Sequence, residues 1–433
     1  MTPRVDADAD AEATHDVDVA LNARAPNPAW TKAPWASIST SNRPRSTRGF
    51  ERRPPRASDA DDEDAESESE SESESESADD SASATASEDV ETRHWRECFR
   101  RARDVDVGTR GTFRVYSNDA SSSPSTTSRT PEGAPVCFLL HGCPYTALTW
   151  GGVAEEFARR AAENASSVAA AVDVVAMDLR GHGESRGWGA RSESQDTSAS
   201  TFDPDVMARD AFETLREFLR LGDGGFKRRV VVVGHSMGGA VATRVATLLE
   251  TSDESTSTMT LAGLVLIDIV EGSALRALPA MGAMADARPT AFSSLRDAVR
   301  WNATRGGGTT NPRSAALSLP SQLRREDAED GRRRYVWRTD VRATAPFWRA
   351  WYEGLSRKFL AVRAAKLLIL AGNDRLDTEL TVAQMQGKFQ LALLPKTGHA
   401  VHEDSPEETA TAIENFFARY VVNARPTPPP FVV

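Results

Sequence analysis

At 433 residues the chain is long enough for two or three domains. Its formal net charge of −11 is concentrated in residues 59–80, which hold 13 acidic side chains and no Lys, Arg or His; without them the balance is about +2. A near-neutral body gives no support to a nucleic-acid partner. No run of 18 uncharged apolar residues occurs, which excludes a spanning helix and with it a membrane partner. Residues 1–19 lack the apolar stretch of a secretory signal, and Cys98, Cys137 and Cys143 are too few for a disulfide framework. The expectation is a soluble chain of the cytoplasm, the nucleus or both.

Residues 1–92 read as a disordered tail, because sparse apolar residues cannot offset the entropy of ordering the chain. Within it, 66–77 alternate Glu and Ser strictly, and 43–56 form a basic stretch that reads either as a nuclear-import or docking element or as a solvated polyampholyte. From about 93 the texture changes. Residues 111–116 alternate as a strand should, and apolar runs follow at 136–140, 172–177, 230–233, 264–267, 367–370 and 391–394. Several are continuous and β-branched, as strands buried on both faces of a parallel sheet are. Helical patterns lie between them. Asp203-Pro204 opens one with Val206, Met207, Ala211, Leu215 and Leu219 on a single face, and Ser405-Pro406-Glu407-Glu408 reads as a capping box with proline at the first helical position. The alternation predicts an α/β fold with a mostly parallel central sheet and helices on both faces, over 93–421. Residues 272–365 contain no buried-strand signal and are too long for a crossover, so they read as a helical cap inserted over one end of the sheet. Its aromatic cluster, Tyr335, Trp337, Phe347, Trp348, Trp351 and Tyr352, reads equally as cap core or as pocket lining. Residues 422–433 are a Pro-rich tail.

Chemistry enters at Gly234-His235-Ser236-Met237-Gly238, placed between the strand 230–233 and a helical run at 239–249. Strand, Gly-x-Ser-x-Gly, helix is the context of a nucleophile elbow, whose tight turn needs small residues two before and two after the serine. It lifts Ser236 clear of the sheet and sets the Met237 N–H at a helix start, where it can face an oxyanion. A serine hydroxyl needs a base, and His399, on a Gly-marked loop between the last strand and the last helix, is the best placed of seven histidines. His402 beside it lacks the companions of a metal site, so neither a metal nor a cofactor is expected. His235 must point away from the nucleophile, and His182 reads as a packing residue. Two acids satisfy the order serine, acid, histidine: Asp268, ending the strand 264–267, and Asp374, after the strand 367–370. Spacing does not separate them, and the general geometry of such folds leans to Asp374. The second oxyanion donor belongs to His141-Gly142-Cys143-Pro144; Pro144 has no N–H, which leaves Cys143.

Taken together, these residues resemble an α/β-hydrolase, and more specifically the protein phosphatase methylesterases. The resemblance spans about 95–420. It is carried by Asp178-Leu179-Arg180-Gly181-His182-Gly183-Glu184 and the elbow, and more distinctively by Ile267-Asp268-Ile269-Val270-Glu271-Gly272, Gln384-Met385-Gln386-Gly387-Lys388-Phe389-Gln390 and Gly398-His399-Ala400-Val401-His402-Glu403-Asp404. It implies that the acid is Asp268, that Asp374 is structural, and that Met385 and Phe389 lie near a groove for the partner, the type 2A phosphatase catalytic subunit with its methylated C-terminal tail. The implied reaction is serine-dependent demethylation of that subunit's C-terminal leucine methyl ester. The alternatives are a small-molecule carboxylesterase or thioesterase, and a phosphatase-binding regulator whose esterase activity is dispensable. Cys143-Pro144-Tyr145 stands where this family usually has a glycine-rich run.

Overall fold

The structure is a computed structural model that describes residues 92–119, 133–186, 202–223, 227–252, 258–305, 308–327, 331–372 and 376–422. The tails expected at 1–92 and 422–433 therefore lie almost wholly outside the described residues, as do the Glu-Ser repeat and Asp374.

The main sheet opens with β1 (Arg101–Asp106) and β2 (Thr112–Asn118), continues with β3 (Val136–Leu140), and reaches helix α1 (Gly151–Glu163). Strand β4 (Asp173–Met177) leads to α2 (Pro204–Asp223), β5 (Arg228–His235) to α3 (Met237–Thr251), and β6 (Met259–Ile267) to the insertion. The insertion runs through α4 (Glu271–Asp286), β7 (Ala291–Phe292), α5 (Leu295–Arg305), α6 (Pro312–Ser321), β8 (Leu323–Asp327), β9 (Arg333–Trp337), α7 (Trp348–Tyr352) and α8 (Leu355–Ala361). The chain then returns as β10 (Ala365–Leu370), α9 (Thr378–Met385), β11 (Gln390–Leu393), the short α10 (Val401–Asp404) and α11 (Pro406–Phe417). Strand order is β1-β2-β4-β3-β5-β6-β10-β11. The first two pairings are antiparallel and all the others parallel.

The period-two geometry of a strand explains why the apolar runs are continuous. Val230 and Val232 face the core under α2 and α3, with Met207, Ala211, Leu215 and Val241. Val231 and Val233 face the opposite core under α1 and α11, with Val153, Phe157, Ile413 and Phe416. All four valines are fully buried, each contributing about 1.5–3 kcal/mol. Two glycines matter for packing, one within β6 and one in the first turn of α3. A Cβ on Gly263 would sit 2.5 Å from the Phe416 ring, and one on Gly239 would sit 2.6 Å from the Ile269 side chain.

The insertion departs from expectation in composition. It is mixed and not wholly helical, because β7, β9 and β8 form a three-stranded antiparallel sheet. Its strands are short, Arg-rich and largely exposed, so they carry none of the apolar signal that marks a buried strand. The aromatic cluster divides between two cores. Tyr335 and Trp337 pack with Phe292 and Trp301 in the insertion's own small core, whereas Trp348, Trp351 and Tyr352 join the main one. The expected capping box is also absent: Ser405 makes no side-chain capping bond. That residue already terminates α10, where its N–H donates to Val401 O at 2.9 Å, and proline at the first position of α11 needs no acceptor.

Candidate active site

Strand β5 delivers the chain to Ser236, whose φ of 53° and ψ of −122° make the turn into α3. A left-handed φ on a non-glycine residue costs about 1–3 kcal/mol and persists only where surroundings enforce it. Here Ser236 N–H donates to Ile267 O at 3.1 Å, and Gly239 N–H to Ser236 O at 2.8 Å. The flanking glycines are sterically required. A Cβ on Gly234 would lie 2.2 Å from Gly238 O, and one on Gly238 would lie 2.3 Å from Leu140 O.

Strand β6 ends beside the elbow and presents Asp268, again at a positive φ, 50°. Its N–H donates to Ile369 O at 2.8 Å, and its Oδ1 accepts from Ala371 N–H at 3.2 Å. The buried carboxylate therefore has one oxygen occupied by backbone and the other, Oδ2, turned to His399 Nδ1 at 2.8 Å. The His399 Nε2 lies 3.0 Å from Ser236 Oγ. Chain topology thus brings Ser236, His399 and Asp268 into one hydrogen-bonded series, from the ends of β5 and β6 and the loop after β11. The acid side chain is fully buried and the imidazole 34% exposed.

The loop after β3 presses on the elbow. A Cβ on Gly142 would meet Ser236 Cβ at 3.0 Å, so glycine there permits the approach. Cys143 follows, joined to Pro144 by a cis peptide. Burial pushes its thiol up to about 12, which holds it protonated and unreactive. Met237 opens α3 fully buried, its N–H among the first-turn donors that have no acceptor inside the helix. His141 Nδ1 donates to Gly142 O at 2.8 Å and its Nε2 accepts from Leu179 N–H at 2.9 Å. The His399 loop is held in turn from two sides. His235 Nε2 donates to His399 O at 2.8 Å. Asp404 accepts from Gly398 N–H at 2.6 Å through Oδ2, and from Thr310 N–H at 2.6 Å in the insertion through Oδ1.

The alpha/beta hydrolase family model matches residues 137–412. Among solved structures, E-2-(acetamidomethylene)succinate hydrolase aligns with a TM-score of 0.51 at 20% identity, covering 74% of this chain and 99% of its own. A peroxisomal α/β-hydrolase of Saccharomyces cerevisiae aligns with a TM-score of 0.51 at 14% identity, covering 77% and 92%. Sequence relatives are more specific. "Probable protein phosphatase methylesterase 1" of Caenorhabditis elegans is 39% identical over 66% of this chain and 70% of its own length. The protein phosphatase methylesterase 1 proteins of Emericella nidulans and Bos taurus are 36% and 34% identical, over 74% and 75% of this chain and 78% and 86% of their own. The chain belongs to the protein phosphatase methylesterase family of α/β-hydrolases.

Other residues of this methylesterase-family chain fall less simply. Met385, at the end of α9, is 80% exposed, but Phe389 is buried against Phe359 at a ring separation of 5.4 Å. Phe389 therefore packs as core: the turn at Gly387, with φ 68°, swings it inward after the helix. His182 is buried with Nδ1 donating to Arg180 O at 2.9 Å. His402 stacks on Trp150 at 4.2 Å and meets Thr149 Oγ1 at 2.9 Å, so it turns away from Ser236. Three residues went unmarked by spacing. Asp404 bridges to the insertion. Glu271, in the first turn of α4, accepts from Gly354 N–H at 2.8 Å and Ser356 N–H at 3.1 Å. Tyr352 ends α7, buried in the main core. The only signal of the last was its membership of an aromatic cluster.

Behind the histidine loop sits Glu403, fully buried, with the Thr149 and Ser318 hydroxyls facing it outside normal hydrogen-bond geometry. Desolvation carries its carboxyl from 4.5 up to about 7. Because the folded value exceeds the unfolded one, the native state holds the proton more tightly between these pH values, and stability falls as pH rises through that window. Glu403→Gln, neutral at every pH, should therefore match the wild type below pH 4.5 and be more stable above pH 7 by about 3 kcal/mol. Urea unfolding at the two pH extremes checks this, and an equal difference at both would refute it.

Proposed function

We propose that the chain removes the methyl ester from the C-terminal leucine carboxyl of the type 2A phosphatase catalytic subunit. The observation that carries the reading is the series Ser236–His399–Asp268, at 3.0 and 2.8 Å, in a chain of this family. Ser236 Oγ attacks the ester carbonyl while His399 Nε2 takes its proton, and Asp268 stabilises the imidazolium and fixes its tautomer. The N–H groups of Met237 and Cys143 receive the oxyanion. Methanol is a poor leaving group, so His399 returns the proton to the departing oxygen, then activates water to hydrolyse the acyl-enzyme.

The test is methanol release from purified, carboxymethylated phosphatase catalytic subunit, with simple activated esters run in parallel. Turnover of both supports the reading. Turnover of the simple esters alone leaves a small-molecule esterase. The exposed Met385, with Val382 one turn before it also exposed, supports a partner-facing role for the end of α9, since methionine is enriched at interfaces. Met385→Asp should lower phosphatase demethylation about 10-fold, and lower small-ester turnover far less. Equal losses on both substrates would remove α9 from the partner surface.

A further inference from the structure

The near-neutral balance of the folded body hides an uneven distribution. The insertion, 272–365, holds 17 Lys and Arg against 8 Asp and Glu. The body around it, 93–271 and 366–421, holds 25 against 32, so only the insertion attracts an anion by its net charge. The small sheet shows how that charge is presented. Phe292, Leu323, Tyr335 and Trp337 turn into the insertion's own core, which leaves Arg324, Glu326 and Arg334 on the outer face by the period of a strand. Glu326 lies opposite Arg334 in the register. It accepts from both arginines, at 2.6 Å from Arg324 and 2.9 Å from Arg334, and each guanidinium stays half exposed. Arg333 beside them is exposed too. Exposed pairs of this kind contribute about 0–1 kcal/mol, so they give way readily to a denser run of carboxylates.

We propose that residues 59–80 of this same chain dock on the outer face of the β7-β9-β8 sheet. Their 13 acidic side chains, with no cation among them, complement the one part of the folded body that has a basic excess. The point at which the chain enters the fold sets the reach. Arg93 N–H donates to Ala316 O at 2.9 Å, on α6 of the insertion itself. Arg324 is eight residues beyond Ala316 and lies within about 30 Å of it by any path. The 13 residues from Asp80 to Arg93 span about 40 Å when extended. The tract is therefore tethered within range of the arginines. A tether of that length presents it at about millimolar effective concentration, and its occupation of the face keeps other polyanions off.

The docking is independent of the chemistry at Ser236, and its test uses the full chain. Replacing every Asp and Glu of 59–80 by Asn or Gln vacates the face. A fluorescein-labelled peptide of the natural 59–80 sequence, followed by anisotropy at about 50 mM salt, should bind this neutralised chain about 10-fold or more tightly than the wild type, whose own tract competes. Binding should fade by about 500 mM salt, where screening shortens to about 4 Å. Arg324→Gln, Arg333→Gln and Arg334→Gln, added together to the neutralised chain, should weaken it about 10-fold. A neutralised chain that binds no peptide overturns the proposal. Equal binding by both chains overturns the occupant and leaves the face to an acidic segment of another protein. Binding untouched by the arginine replacements overturns the surface. Amide exchange decides the matter even if the triple replacement folds poorly. Residues 323–327 and 333–337 should exchange faster in the neutralised chain than in the wild type, and identical exchange overturns the docking.

Discussion

Ser236→Ala should abolish ester hydrolysis, with kcat reduced about 10⁵-fold or more, and leave the fold intact. The argument is local. Alanine and serine tolerate the left-handed φ of 53° equally badly, so the strain at the elbow is unchanged. The bonds that enforce the turn, Ser236 N–H to Ile267 O and Gly239 N–H to Ser236 O, are all backbone. His399 loses one side-chain contact and keeps its link to Asp268. The measurements are methanol release, stoichiometric fluorophosphonate labelling and thermal melting. Loss of the first two with an unshifted melt is the expected result. Residual labelling at one equivalent would mean another nucleophile, and the protonated, half-buried Cys143 is a poor candidate.

Asp268→Asn should cost about 10⁴-fold in kcat with a small change in KM. The size of the effect follows from how the carboxylate is held. Oδ1 accepts a backbone N–H from Ala371, so an asparagine at this position must turn its carbonyl oxygen toward Ala371 and its NH₂ toward His399. An NH₂ facing Nδ1 selects the imidazole tautomer that carries its proton on Nε2, and that nitrogen can no longer accept from Ser236. The variant should therefore regain activity poorly at any pH, and nitrogen NMR of the ring should report the inverted tautomer. Activity above a tenth of the wild type would move the acid elsewhere, with Asp374→Asn the companion variant to run.

Much of this was legible in the sequence. The strands were read from continuous β-branched runs, since burial on both faces removes the alternation that otherwise marks a strand. The elbow was read because steric closeness at Gly234 and Gly238 leaves one residue type available, and that requirement is written into the chain. The choice between Asp268 and Asp374 was not legible from spacing, because both follow parallel strands whose ends lie at the same edge of the sheet. That Phe389 turns inward where Met385 turns out is not legible either, because a motif fixes neighbours in sequence and not the side of a turn on which each falls. The small sheet of the insertion escaped notice because Leu323–Asp327 and Arg333–Trp337 are held by backbone pairing and exposed charges, with little apolar patterning to betray them. Glu271 and Asp404 hold long-range partners, and a single sequence carries no record of such pairs.

The insertion's bridges bear on how it is seated. Glu271 grips the chain at Gly354 and Ser356, and Asp404 grips it at Thr309 and Thr310. Lifting the insertion would break the Asp404 contacts, which also hold the His399 loop, whereas Glu271 ties the insertion's own two stems together at its base. The His399 ring meanwhile remains one-third open to solvent. A single carboxylate, that of Asp404, so couples the seating of the insertion to the pose of His399.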